Sequence, residues 1–169
     1  YRKEKDNKKK EEIKGEISRN LALAENFFNK ALKLYEDKSK EALDDESKKK
    51  IAHNELQARL FMSRMYLSEF LRKYSEVLTL LNGQEKRYAS RPDAVSSILQ
   101  LKIETYINMD DLDNAEVHLK SLKDYAGKGG SLEIIAPALQ LMGLAYEKKS
   151  ESVIPSALSA STPDEKKKV

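Results

Sequence analysis

The sequence predicts an all-α protein built from antiparallel helical hairpins. Apolar residues recur at mixed three- and four-residue steps along most of the chain, which is the period of an amphipathic helix. Only six Gly and four Pro occur among 169 residues, with 40% hydrophobic and 35% charged side chains, a balance that favours helices over a sandwich or barrel. Tyr66, Tyr106 and Tyr146 stand 40 residues apart, the mark of an internal repeat. The chain is long enough for one domain or a short repeat array with a continuous core.

Taken in order, residues 1–15 are a charged leader with almost nothing to bury, expected to be poorly ordered. Ile13 and Ile17 open a pattern that strengthens through Leu21, Phe28, Leu32 and Tyr35, predicting a helix over 16–37. Residues 38–47 are polar and predict a loop. From Lys48 a long pattern runs through Ile51, Leu56, Leu60, Met62 and Tyr66 to Leu81. One helix of that length is unusual in a compact domain, so a reversal is expected at Ser68-Glu69 or Arg72-Lys73. Asn82-Gly83 stops the next helix, and Pro92 suits the first position of the one after.

Residues 96–125 predict a hairpin turning at Met109-Asp110-Asp111. Ile98, Leu101, Ile103, Tyr106 and Ile107 form its first apolar face, and Leu112, Ala115, Val117, Leu119 and Leu122 form its second. Asp111 and Asp113 are placed to cap the second helix, with Glu116 three residues beyond Asp113 as in a capping box. Gly127, Gly129 and Gly130 end that helix. Pro137 either kinks the last long helix or marks its beginning near Ala136. Residues 150–160 allow a short terminal helix, and 161–169 form a tail expected to be mobile.

The stretch Ala138-Leu139-Gln140-Leu141-Met142-Gly143-Leu144-Ala145-Tyr146 resembles the first helix of a tetratricopeptide repeat, with a Gly and a Tyr where that family places them. Leu112-Asp113-Asn114-Ala115 with Leu119 and Leu122 is similar to the second helix, Tyr74-Ser75-Glu76-Val77 fits more loosely, and Ala24 to Leu32 looks like a second helix without its partner. The resemblance covers roughly residues 20–149 and is atypical in its period, which is 40 where the family standard is about 34; HEAT and armadillo repeats run at about 40–47, so the period alone favours those, while the Gly143-to-Tyr146 and Leu112-to-Ala115 spacings favour the tetratricopeptide reading. It implies a right-handed superhelical array of hairpins over 16–149 whose first helices line a concave groove for a partner peptide or helix. Carried over by position, that groove comprises Leu60, Arg64, Leu67, Gln100, Glu104, Asn108, Gln140, Leu144 and Glu147. The Lys/Asn set by which chaperone-tail binders of the family clamp a carboxylate is absent, since Leu60, Arg64 and Gln100 occupy the key sites.

Catalytic chemistry has little footing. No cysteine is present, which excludes thiolate metal sites, disulfides and a cysteine nucleophile. His53 and His118 lack the companions of a zinc site. Asp110, Asp111 and Asp113 read as turn and cap, since no Gly-containing calcium loop or closing Glu follows. Gly127-Lys128-Gly129-Gly130 lacks the strand and the Gly-Lys-Ser/Thr ending of a phosphate loop. The expectation is a non-enzymatic protein-binding scaffold in a larger assembly, with no cofactor and no metal.

Two alternatives remain. One is an RNA-binding helical repeat using Lys8-Lys9-Lys10, Lys48-Lys49-Lys50 and Lys166-Lys167-Lys168, although each run has acidic neighbours and the net charge is only +3. The other is a homo-oligomer formed through apolar faces at Leu21 to Tyr35 or Leu139 to Tyr146. No run approaches the roughly 20 apolar residues of a membrane span. The start at Tyr1 fits a fragment, and a cytoplasmic setting is expected.

Overall fold

The computed structural model describes residues 2–42, 44–127, 133 and 135–160, with the helix course alone for 2–6, 8 and 153–160. The described residues form seven α-helices and no strand: α1 (Arg2–Glu41), α2 (Asp45–Leu67), α3 (Tyr74–Leu81), α4 (Gln84–Arg87), α5 (Pro92–Asn108), α6 (Leu112–Gly127) and α7 (Ile135–Ala160).

The helix expected over 16–37 begins instead at Arg2 and takes in the charged leader. Lys, Glu and Arg are strong helix formers, and exposed pairs one turn apart, Glu11 with Lys14, Glu36 with Lys40 and Lys38 with Glu41, run along the same helix. The polar loop expected over 38–47 is largely helical instead, with α1 running to Glu41 and α2 beginning at Asp45. Asp44 caps α2, its Oδ1 accepting from the Ser47 amide at 2.7 Å.

The reversal after α2 falls at residues 68–73, where Ser68-Glu69 and Arg72-Lys73 flank Phe70-Leu71, and α3 stops before Asn82-Gly83, where Gly83 takes φ 70. Residues 84–87, expected as connection only, form the single turn α4. Pro92 opens α5 as its position predicts. Pro137 lies in the first turn of α7, where a missing amide donor costs nothing. The separate short helix expected over 150–160 is absent because α7 continues to Ala160. Residues 128–132 and 161–169 lie outside the described residues.

The two turns expected between paired helices are built alike. The Tyr66 carbonyl accepts from the Lys73 amide at 2.9 Å, and the Tyr106 carbonyl accepts from the Asp111 amide at 2.9 Å. Each turn passes a non-glycine residue through the left-handed region just before the next helix, Arg72 at φ 48 and Asp110 at φ 59. Asp111 then caps α6, its Oδ1 accepting from the Asn114 amide at 3.2 Å and its Oδ2 from the Asn114 side-chain amide at 2.7 Å. Of the two expected caps, Asp111 fills the role, and the capping box foreseen at Asp113 and Glu116 lies two residues too far along. Glu116 accepts from Tyr146 instead.

Contacts divide the chain into two compact units, Tyr1–Leu101 and Lys102–Val169, with the boundary inside α5. In the first, α2 packs against both α1 and α3. Leu56, Leu60, Met62 and Tyr66 of α2 join Val77, Leu81, Tyr88, Ala94, Ile98 and Leu101 in one core, edged by Phe28 and Leu32 of α1. In the second, α6 packs against α7. Their buried residues are Leu112, Ala115, Leu119, Leu122 and Ala126 on α6 and Ile135, Ala138 and Met142 on α7.

Polar clusters pin the first unit. The buried Glu55 carboxylate accepts from Arg59 at 2.9 Å and from Arg87 at 2.7 and 2.9 Å, while Arg59 also donates to the Leu80 carbonyl at 3.3 Å. Tyr88 adds a bond to the Ala52 carbonyl at 2.7 Å. The connection after α3 is thus fastened to α2 by side chains. Burial acts to raise the Glu55 carboxyl, but the hydrogen bonds and charges of Arg87 and Arg59 overcome it and hold the group below its ordinary value. A second cluster joins α1 to the turn before α3. Lys73 donates to both Glu25 oxygens at 2.8 and 2.9 Å, and the Tyr66 hydroxyl donates to Glu25 at 2.7 Å.

Replacing Glu55 by Ala leaves two guanidinium groups without their carboxylate. The loss of unfolding free energy is expected to be about 2 kcal/mol, less than for a fully enclosed pair because Arg87 is partly solvated. The depressed carboxyl contributes stability that is present above its ordinary value of 4.5 and is lost as pH falls through the lower folded value. Urea titrations from pH 7 to 3 are expected to show a steeper acid loss for wild type than for Glu55→Gln. In the same assay Arg72→Gly is expected to raise stability by about 0.5–1 kcal/mol by relieving the left-handed backbone at that turn.

Candidate partner-binding surface

Of the nine positions assigned to a concave groove, four belong to the first unit and five to the second. Leu60 is 4% exposed and is a core residue, so it presents nothing to a partner. Its burial follows from α2 being covered on two sides, by α1 and by α3. Leu67 is half-buried against the same core, while Arg64 is exposed. Gln100 and Glu104 are half-buried and Asn108 is exposed. Gln140, Leu144 and Glu147 are all exposed and fall on one face of α7, where Leu144 is 55% exposed.

The 40-residue register has a physical meaning in the first helices. Glu55, Val95 and Ile135 are buried, as are Ala58, Ile98 and Ala138, and Met62, Lys102 and Met142. The same three steps along α2, α5 and α7 therefore point inward. Four residues further on, the tyrosines differ. Tyr66 is buried, and burial together with its bond to Glu25 pushes its phenol up. Tyr106 stacks on His118 of α6 with ring centroids 5.3 Å apart and planes 16° from parallel. Tyr146 is exposed and donates to Glu116 of α6, which raises its phenol. Tyr66 and Tyr146 thus each bond a glutamate on the helix preceding their own.

The two partners of that last contact line an open groove between α6 and α7, with a volume of about 580 Å³. Its floor is Leu119 and Met142, both buried. Asp113, Glu116, Val117, Lys120 and Lys123 form one wall, and Tyr146 stands on the other. Val117 was expected among the inward residues of α6 yet is 59% exposed. The reason lies in its spacing: Leu112, Ala115, Leu119, Leu122 and Ala126 form the buried stripe, and Val117 falls between its members. The wall is electrically graded, acidic at Asp113 and Glu116 and basic at Lys120 and Lys123, with the exposed valine between the two signs.

The remaining polar features have local partners. His53 shares a hydrogen bond of 3.2 Å with the Arg91 guanidinium, which also pairs with Asp93 at 3.0 Å. Among the described residues no group of three His, Asp or Glu side chains is placed to hold a metal ion, and no helix is long and apolar enough to cross a membrane. Lys9 and Lys10 on α1 and Lys48 to Lys50 on α2 are exposed, and Lys166 to Lys168 lie outside the described residues. Comparison with protein families, curated proteins and solved structures finds no match for the chain.

Core and surface positions of the expected groove are separable by stability. Leu60→Ala is expected to cost about 2–4 kcal/mol in chemical denaturation, whereas Leu144→Ala stays within about 0.5 kcal/mol of wild type.

Proposed function

We propose that this chain is a non-catalytic scaffold of tetratricopeptide-like hairpins, stacked in a right-handed array, that binds an amphipathic peptide or helix of a protein partner. The observation that carries this reading is the graded groove between α6 and α7. An exposed Val117 and Tyr146 above a floor of Leu119 and Met142 offer an apolar seat, and charges of opposite sign flank it along α6. A peptide that seats one bulky apolar side chain there, with basic residues toward Asp113 and Glu116 and acidic residues toward Lys120 and Lys123, satisfies both ends. Helix-in-groove recognition uses such an apolar anchor for affinity, and charge placement for orientation.

The shared inward register of α2, α5 and α7 supports the repeat interpretation, because equivalent steps bury equivalent positions. None of the nine expected groove residues lines the groove between α6 and α7, and Gln140, Leu144 and Glu147 stand on the side of α7 turned away from Met142 and Tyr146.

Selection from a displayed random peptide library tests the reading. Wild type is expected to enrich peptides with an apolar anchor between a basic and an acidic end. A variant carrying Asp113→Lys, Glu116→Lys, Lys120→Glu and Lys123→Glu is expected to enrich the reverse polarity, with Val117→Asp abolishing enrichment at unchanged helical content. Enrichment indifferent to these changes overturns the groove. Micromolar, salt-sensitive binding of single-stranded RNA with no peptide enrichment would replace it by a nucleic-acid function through the exposed lysines.

A further inference from the structure

Helix α1 buries only one side. Ile17, Leu21, Ala24, Phe28, Ala31, Leu32 and Tyr35 are half-buried, and Phe28 and Leu32 edge the core beneath. A second apolar line, Ile13, Leu23, Phe27 and Leu34, runs along a separate face and is open to solvent, Phe27 at 66%. Ile13, Asn20, Phe27 and Leu34 stand at seven-residue intervals, so they keep one side of the helix for six turns, roughly 30 Å. The four large side chains expose roughly 400 Å² of apolar surface, at the upper end of what a monomer leaves uncovered.

We propose that this face of α1 pairs antiparallel with α1 of a second copy of the chain, about a two-fold axis at Leu23. The pattern is self-complementary in that direction. Placing Leu23 against the Leu23 of the other copy sets Glu16 against Lys30 and brings Ile13 within one residue of Leu34 and Glu12 within one residue of Lys33. Arg19 then lies beside the ring of Phe27, a contact in which a guanidinium binds an aromatic face. Two-fold symmetry repeats each contact, so every charge on the face meets one of opposite sign or a ring. A parallel pairing instead juxtaposes Glu16 with Glu16, Lys30 with Lys30 and Lys33 with Lys33, and like charges across a contact disfavour it.

The apolar area from both copies, with the aliphatic stems of Arg19, Lys30 and Lys33, reaches about 1,200 Å², the lower bound for a specific association. Dimer formation is therefore expected to depend on concentration in the micromolar range. The inference is independent of the groove on α6 and α7, since no residue is shared.

Sedimentation equilibrium of the whole chain is the primary test. The average mass is expected to rise from 19.3 kDa toward twice that value as concentration increases from about 1 to 200 µM. Phe27→Asp is expected to hold it at the single-chain value with unchanged circular dichroism, because that side chain supports no core. The chain has no cysteine, so single engineered thiols report register. Leu23→Cys is expected to cross-link to itself. Ile13→Cys is expected to cross-link when mixed with Leu34→Cys, and not on its own. A single-chain mass at every concentration overturns the proposal, as does a dimer that survives Phe27→Asp. Self-linking of Ile13→Cys as efficient as linking in the mixture overturns the antiparallel arrangement.

Discussion

Helix α2 has to bury two sides at once, and the first unit is arranged around that requirement. An apolar stripe serves one side, with Leu56, Leu60, Met62 and Tyr66 in a core that receives α3 and the start of α5. A wholly apolar helix would leave the polar connection after α3 with nothing to hold it. Glu55 supplies that hold. Its carboxylate is buried, so it depends on both guanidinium groups. Because they come from positions 59 and 87, satisfying the charge also fixes where residues 82–91 run. A buried ion cluster of this kind contributes little net stability compared with an apolar substitute, but it admits one arrangement only. The cluster of Glu25, Tyr66 and Lys73 plays the equivalent part on the side facing α1.

The same reasoning explains why the repeat is regular in its first helices and irregular elsewhere. Buried positions in α2, α5 and α7 keep a 40-residue register because a side chain turned inward cannot drift by one residue without leaving its face. The turns are not so bound. From Tyr66 to the start of α3 the chain uses two more residues than from Tyr106 to the start of α6, yet both turns close with an amide bonded to the tyrosine carbonyl and a left-handed residue before the helix. Length is absorbed where the backbone is exposed, and the closing geometry is kept.

Much of the helical layout is legible in the sequence, and the exceptions have identifiable causes. The stop at Asn82-Gly83, the start at Pro92 and the turn at Met109 to Asp111 follow from backbone chemistry that acts locally. The extension of α1 back to Arg2 leaves no apolar pattern in the sequence, because propensity and ion pairs one turn apart suffice for charged residues. Leu60 was assigned to a partner surface because position in a repeat does not reveal that a helix is covered twice. Val117 was assigned inward because it is apolar, although its spacing departs from the buried stripe. The role of Glu55 leaves no mark in the sequence, since its second arginine lies 32 residues away and charged residues are common along the chain. Pairings across such distances are decided by packing, and single-residue chemistry does not contain them.

Charge balance sets how the proposed recognition would have to work. With 31 basic and 28 acidic side chains the whole-molecule field is weak, so a partner gains little long-range attraction from net charge. Discrimination then has to come from short-range arrangement, from charges placed beside apolar contacts within a Debye length of about 10 Å. Both exposed apolar faces have this character. On α6 the sign changes once along the groove, the order that the peptide proposed for it would have to match in reverse. On α1 acidic residues at positions 12 and 16 and basic residues at 30 and 33 flank Leu23 at comparable distances, which suits a partner carrying the reverse order, and an inverted copy of the same helix carries it.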